Sequence, residues 1–147
     1  MINIARFTHP IKLGVIGLAL CLWLDPAAAA VVAVVSSKSQ VSTLGKNQVA
    51  DLFLGKLHSF PNGEPAIPVD QDEASAVRDE FYSRFTGKSA AQVKAHWSKI
   101  IFTGRGHPPK TVSNSAEVKR LLAENPNMIG YVEAELVDGS VRVLGLQ

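Results

Sequence analysis

The sequence is almost without cysteine. Among its 147 residues only Cys21 carries a thiol, and it lies inside an apolar run near the start of the chain. If that run is removed, the chain can form no disulfide, no thiolate nucleophile and no cysteine-based metal site. The remaining domain must then be stabilised by its hydrophobic core alone.

The sequence also lacks an apolar run long enough for a comfortable membrane span. Residues 13–24 are apolar and uncharged, but a spanning helix needs about 20 such residues. Arg6 and Lys12 precede this run and four alanines, residues 27–30, follow it, as in a secretory signal with a small-residue cleavage site. We predict that residues 1–30 are a signal peptide and residues 31–147 a periplasmic domain; an uncleaved anchor is the alternative.

The sequence also has no large excess of positive or negative charge. The whole chain has a formal net charge of +2, and removal of residues 1–30 leaves a nearly neutral domain without a basic cluster. A nucleic-acid partner is therefore not expected. His58, His96 and His107 lack the spacing of a zinc site, and no Gly-x-Ser-x-Gly elbow is present. We expect no catalytic residue, no metal and no cofactor, and hence a protein that is not an enzyme.

The remaining pattern alternates between strands and helices. Strands are predicted at residues 31–35, 66–70, 128–132 and 140–146. Helices are predicted from a cap at Ser42 or Thr43 to Gly55, over residues 73–85 and 90–102, and from Ser113 or Asn114 to residue 122. This order predicts a single three-layer-like α/β lobe, with a small, mostly parallel or mixed sheet flanked by helices.

One strand-to-helix turn has the features of an anion site. Ser75 lies at the start of the second helix, directly after the strand at residues 66–70. Unpaired backbone N–H groups and the positive end of the helix dipole favour an anion there, and the hydroxyl adds a donor. Arg78 lies one turn later on the same face, so both side chains can converge on one oxyanion.

Arg78 also has a purely structural alternative. It can form a surface ion pair with Asp72, Glu73 or Asp79, worth about 0–1 kcal/mol. The carboxylates of Asp70, Asp72 and Glu73 would repel a phosphate if all three faced it. One of them is tolerable, because a carboxylate can accept the proton of monohydrogen phosphate.

Three further residues are candidates for anion binding. Ser36 and Ser37 follow the first strand, and the C-terminal ends of strands line the ligand crevice in folds of this kind, so we expect them near Ser75. Arg105 lies between two glycines in the loop at residues 104–109, which is either ordered or a mobile flap. A solvated turn is the alternative for Arg105.

Several motifs, taken in their order along the chain, resemble the substrate-binding proteins of phosphate ABC transporters. These are DLFLGK at residues 51–56, the PNG turn at 61–63, IPV at 67–69 with the helix from Ser75, and NPNMIGYV at 125–132. The segment IFTGRGHPP at residues 101–109 resembles a loop of short, stand-alone relatives. Together these segments extend over nearly all of residues 31–147.

The resemblance implies the fold of a type II periplasmic binding protein, in a short, single-lobe form. The family's phosphate loop has Ser-Gly-Thr at the helix start, which falls on Ser75, Ala76 and Val77. Ser75 matches, whereas Ala76 and Val77 replace the glycine and the threonine. The resemblance thus implies an oxyanion site at Ser75, Ala76 and Val77, in which Arg78 is our candidate to compensate for the lost groups, and a weak site, because a single lobe leaves the anion partly hydrated.

The implied partners are inorganic phosphate or a related oxyanion, an ABC transporter permease or membrane receptor, and a second copy in a homodimer that closes the site. An interaction or sensory module that keeps the fold without a ligand is the alternative. The replacement of the glycine and the threonine favours this alternative.

Overall fold

The structure is a computed structural model that describes residues 30–147. The predicted signal peptide, with Cys21, lies outside the described residues apart from Ala30. Between residues 30 and 147, no helix has both the length and the apolar character needed to cross a membrane.

The described residues alternate between strands and helices as predicted. The elements are β1 Val31–Ser36, β2 Thr43–Leu44, α1 Lys46–Phe53, β3 Ile67–Gln71, α2 Ala76–Thr86, α3 Ala90–Phe102, β4 Lys110–Val112, α4 Ser115–Glu124, β5 Met128–Glu133, β6 Val141–Val143 and β7 Gly145–Leu146. One turn of 3-10 helix, Ala134–Leu136, follows β5.

Local capping explains where α3 begins and where α2 ends. The Ser89 hydroxyl accepts a hydrogen bond from the Gln92 N–H, and the Gln92 side chain accepts one from the Ser89 N–H, so two donors that lack helical partners are satisfied. Gly87 ends α2 at a φ of 68°, in the left-handed region that favours glycine. The bounds of α3 are those predicted from the sequence.

Four predictions of local structure were wrong. α2 begins at Ala76 and not at residue 73, because Ser75 is its N-cap. α1 begins after Gly45 and not at Ser42 or Thr43, because Thr43 pairs with Gly145 in the two-stranded parallel sheet of β2 and β7. The strand predicted at residues 140–146 is two strands, β6 and β7. β4 was missed, since its three residues carry no periodic pattern.

The main sheet is mixed and has the strand order β4-β3-β5-β1-β6. β3 runs parallel to β4 and β5, whereas β1 runs antiparallel to β5 and β6. Ile129 of β5 pairs with Pro68 near the start of β3 and with Val35 near the end of β1. The C-terminal ends of β1 and β3 therefore lie at opposite ends of the sheet.

Both faces of the sheet are covered, which gives the three layers expected from the sequence. Val31, Ala33 and Val35 pack on the side of α1, α2 and α3, whereas Val34 packs on the side of α4. Such double burial explains why β1 is an almost uninterrupted apolar run. The rings of Phe81 in α2 and Tyr131 in β5 stack with centroids 4.0 Å apart, which fixes α2 against the sheet.

Candidate functional site

The turn from β3 into α2 has the geometry that the sequence indicates. β3 ends at Gln71, and Ser75 is the N-cap of α2. The Ser75 hydroxyl accepts a hydrogen bond from the Arg78 N–H at 3.3 Å, and the Ser75 N–H donates to the Asp72 carbonyl at 2.9 Å. The hydroxyl thus satisfies one of the N–H groups that a helix start leaves unpaired.

Arg78 does not point its charge to a surface carboxylate. Its Nε donates to Asp70 Oδ2 at 3.2 Å, and less than a tenth of either side chain is exposed. The Tyr82 hydroxyl donates to the same oxygen at 2.8 Å, and the Tyr131 hydroxyl donates to Oδ1. The Gln71 N–H donates to Oδ1 at 2.8 Å. The Asp70 carboxylate therefore accepts hydrogen bonds from four donors.

A second set of bonds joins this carboxylate site to Ser75. The Ser75 hydroxyl donates to Gln71 Oε1 at 3.2 Å, and Gln71 Nε2 donates to Ser115 Oγ and to the Tyr131 carbonyl, each at 3.1 Å. The Ser115 hydroxyl in turn donates to Glu133. We call the whole arrangement the Asp70 network, formed by Asp70, Gln71, Ser75, Arg78, Tyr82, Ser115, Tyr131 and Glu133.

The electrostatics of the network follow from burial around one negative charge. Burial raises the pKa values of Tyr82 and Tyr131, and the charge of Asp70 raises them further. Burial is the largest influence on the pKa of Arg78 and lowers it, but the Asp70 carboxylate together with Tyr82 and Tyr131 outweighs burial, so the pKa of Arg78 is raised. Arg78 also lies over the Tyr82 ring, 4.9 Å from its centroid. Both phenols thus stay neutral donors and Arg78 stays charged.

Two donors at the start of α2 keep no partner in the described part of the chain. The backbone N–H groups of Ala76 and Val77 make no hydrogen bond with residues 30–147. The Ala76 side chain is exposed, and the Val77 side chain packs against the core. Asp72 and Glu73 are exposed in the preceding turn. The helix start can therefore offer two N–H groups to an anion, with two carboxylates close in sequence.

The predicted convergence of Ser36 and Ser37 with Ser75 was wrong. Both serines follow β1, which ends at the opposite end of the sheet from the start of α2. Ser36 is fully buried and its hydroxyl accepts a hydrogen bond from the Lys38 N–H; the Ser37 N–H donates to the Ser140 carbonyl. The antiparallel course of β1 produces this separation.

Arg105 is also remote from Ser75. It lies in the exposed loop between α3 and β4 and lines a cavity beside Ile67 and Pro68, at the start of β3. The structure therefore brings together Ser75, Ala76, Val77 and Arg78, and separates them from Ser36, Ser37 and Arg105.

The histidines and acidic residues between residues 30 and 147 form no candidate metal site. No group of three or more histidines, cysteines or carboxylates there could hold a metal ion. His96 Nε2 lies 2.8 Å from the Leu54 carbonyl oxygen, and this contact ties α3 to the end of α1. The Nε2 atom of His96 is therefore used in a structural contact between α3 and α1.

Sequence reasoning missed the centre of the network. Asp70 was considered only for its effect on a bound phosphate, which it can repel or from which it can accept a proton, and the remaining members of the network apart from Ser75 and Arg78 were not considered. One signal was available within α2, because Tyr82 follows Arg78 at a spacing of four residues and so lies on the same helix face. The pairing of both residues with Asp70 depends on tertiary packing.

Solved structures of phosphate-binding proteins share this fold. A protein from Clostridium perfringens, described as a phosphate ABC transporter substrate-binding protein and solved with bound phosphate, matches with a TM-score of 0.63 and 22% identity, over 80% of this chain and 46% of the other. An ABC-type phosphate transport receptor from Vibrio cholerae matches with a TM-score of 0.60 and 18% identity, over 78% of this chain and 44% of the other.

A third match extends the likeness to PstS from Borrelia burgdorferi, with a TM-score of 0.58 and 12% identity, over 80% of this chain and 47% of the other. The sequence matches no protein-family model and no curated protein. The chain spans less than half the length of these three structures. The predicted resemblance is thus confirmed at the level of the fold: residues 30–147 have the α/β fold of about one half of a phosphate ABC transporter substrate-binding protein.

Proposed function

We propose that this chain is a phosphate-binding-like module that takes up phosphate or a related oxyanion weakly at the start of α2. The observation that carries the proposal is the pair of unpaired backbone N–H groups of Ala76 and Val77 next to the Ser75 cap. The likeness to phosphate-binding proteins, one of them solved with phosphate, supports the choice of ligand.

The predicted affinity is low because the strongest donors are already used. The Arg78 charge is paired with Asp70, and the Ser75 hydroxyl takes part in two internal hydrogen bonds. The donors that remain lie on one side of a single α/β unit, so a bound anion would keep much of its hydration. We expect a dissociation constant on the order of millimolar, a binding free energy of about −4 kcal/mol.

A second candidate function is an interaction or sensory module without a ligand. The Asp70 carboxylate favours it, because a built-in anion already accepts hydrogen bonds from Arg78, Tyr82 and Tyr131. Such a network stabilises the fold whether or not an external anion binds.

The proposal includes a location and partners. The signal predicted at residues 1–30 would export the domain to the periplasm, where an ABC transporter permease or a membrane receptor is the proposed protein partner. A homodimer could close the site from its open side. The proposed activity is binding without catalysis, in keeping with the substrate-binding and transport proteins that share the fold.

Isothermal titration with phosphate, sulfate and molybdate tests the ligand. We expect saturable heat for phosphate, weakened in Ala76→Pro, which removes one of the two free N–H groups at the first helical position, where proline is tolerated. Ala90→Pro, which should retain the heat, is the matched control, because Ala90 is the first residue of α3 and follows a serine cap of the same kind. No heat with any of the three oxyanions would refute the binding proposal and leave the interaction module as the better candidate.

A further inference from the structure

A cavity of about 490 Å³ lies at the opposite end of β3 from the Asp70 network. It is bounded by the end of α1, by α3, by the start of β3 and by the loop at residues 104–109. Its volume is in the range of small-molecule sites, about 300–1,000 Å³. The proposed phosphate site has no part in it.

The walls of this cavity are mostly apolar. Leu52, Leu57, Ile67, Trp97 and Ile100 contribute hydrocarbon or aromatic surface. Leu57 and Ile67 are 38% and 39% exposed, although both are large apolar side chains. Covering such surface with an apolar ligand is favourable, because it removes apolar area from water. A fully hydrated ion such as phosphate would gain nothing from these walls.

The charged side chains that line the cavity are positive. Arg105 and Lys110 line it together with His58 and His107, whereas no carboxylate of the described chain does. Neither Arg105 nor Lys110 forms an ion pair with any residue from 30 to 147. This is the reverse of Arg78, whose charge is cancelled by a buried carboxylate. An anionic group brought to this cavity would meet two cations that have no ion-pair partner among residues 30–147.

We propose that this cavity is a second binding site, for a small carboxylate with an apolar body. The apolar part would lie against Trp97 and Ile67, and the carboxylate would pair with Arg105 and Lys110. The planar guanidinium of Arg105 can donate two parallel hydrogen bonds to a carboxylate, which gives orientation as well as attraction. The apolar walls and the cations thus recognise two parts of one molecule.

Three probes of equal shape and different charge test this proposal. These are 3-phenylpropanoate, 3-phenylpropan-1-ol and 3-phenylpropylammonium, each titrated into ¹⁵N-labelled protein while the indole N–H resonance of Trp97 is followed. A Trp23→Phe variant assigns that resonance, because Trp23 and Trp97 are the two tryptophans of the chain. Inorganic phosphate is titrated as well; because it has no apolar body, we expect it to shift the Trp97 resonance less than 3-phenylpropanoate does at the same concentration.

We expect 3-phenylpropanoate to bind about tenfold more tightly than the alcohol, a difference of about 1.4 kcal/mol, and the ammonium probe to bind least. Arg105→Gln combined with Lys110→Gln should remove the preference for the carboxylate and leave binding of the alcohol unchanged. Lys46→Gln is the matched control, since Lys46 is an exposed cation at the other end of α1 and should change nothing.

Two results would overturn the proposal. One is the absence of a saturable shift of Trp97 with any of the three probes, which would mean that the cavity binds no apolar body. The other is equal affinity for carboxylate and alcohol in both the wild type and the double variant, which would mean that Arg105 and Lys110 recognise no anion.

Discussion

Positively charged side chains lie near both ends of β3, but they are paired with a carboxylate at one end only. At the C-terminal end Arg78 is buried against Asp70, and two tyrosines complete the shell of the same carboxylate. At the N-terminal end Arg105 and Lys110 line an apolar cavity without a carboxylate among the described residues. An arginine near a helix start is therefore not by itself an anion site. Whether the chain supplies its own counter-charge decides if the arginine is structural or available to a ligand.

The largest expected contrast is between Arg78→Met and Arg105→Gln. Arg78→Met leaves the Asp70 charge buried without its cation, which typically costs about 3–5 kcal/mol. Arg105→Gln changes an exposed side chain and should alter stability by less than about 0.5 kcal/mol. Urea unfolding of both variants measures the difference.

A double variant checks the cause of this loss. If the unpaired carboxylate is responsible, adding Asp70→Asn to Arg78→Met should cost less than the sum of the two single changes. Additive costs would mean that Asp70 and Arg78 do not act as a pair, and the contrast between the two ends of β3 would lose its basis.

A smaller effect is expected at a glycine beside the cavity. Gly55 has a φ of +71°, and a Cβ there would lie 2.7 Å from the Trp97 ring. Gly55→Ala therefore combines left-handed backbone strain with overpacking, together about 2–4 kcal/mol. It should also shift the ring that lines the cavity and weaken the binding of 3-phenylpropanoate.

Gly87→Ala separates the two contributions. Gly87 has nearly the same φ, +68°, but nothing lies within 4 Å of the position of its Cβ. It should show only the backbone strain, about 1–2 kcal/mol, with no change in binding. Equal losses in both variants would show that Trp97 moves aside at no cost.

The smallest effect concerns alkaline pH. The pKa values of Tyr82 and Tyr131 are raised above 10.0 by burial and by the Asp70 charge, so the unfolded chain loses these protons first. Their contribution to stability is complete below about pH 10 and decreases above it, by about 1.4 kcal/mol per pH unit for each tyrosine. Denaturant unfolding at increasing pH should show a shallower decrease in Tyr131→Phe. An unchanged slope would place the Tyr131 hydroxyl outside the network.

Local signals made the helices predictable. Capping residues and glycines mark the bounds of α2 and α3, and these signals act within a few residues of the chain. The pairs that form β2, β4 and β7 have no such signal, because strands of two or three residues exist only through their partners. The sequence pattern therefore identified the layers, but it missed β2 and β4 and joined β6 and β7 into one strand.

The candidate site was predictable only in part. A serine near a helix start and an arginine one turn later can be recognised in the sequence, as they were for Ser75 and Arg78, although the role of Ser75 as the N-cap was not predicted. Their use is set by Asp70 and Tyr131, which are 61 residues apart and meet through the pairing of β3 with β5. Ser36 and Ser37 were assigned to the same site because the direction of β1 in the sheet cannot be read from β1 itself.

By itself the sequence determined the alternation of strands and helices, the position of Ser75 near a helix start and the two apolar faces of the sheet, since each depends on spacing along the chain. Only the tertiary structure decided that β1 runs antiparallel to β5 and that Arg78 is paired with Asp70. The physical reason is that strand direction and charge pairing depend on distances in space between residues far apart in sequence. Whether an arginine is paired depends on whether the fold places a carboxylate next to it, as it places Asp70 next to Arg78.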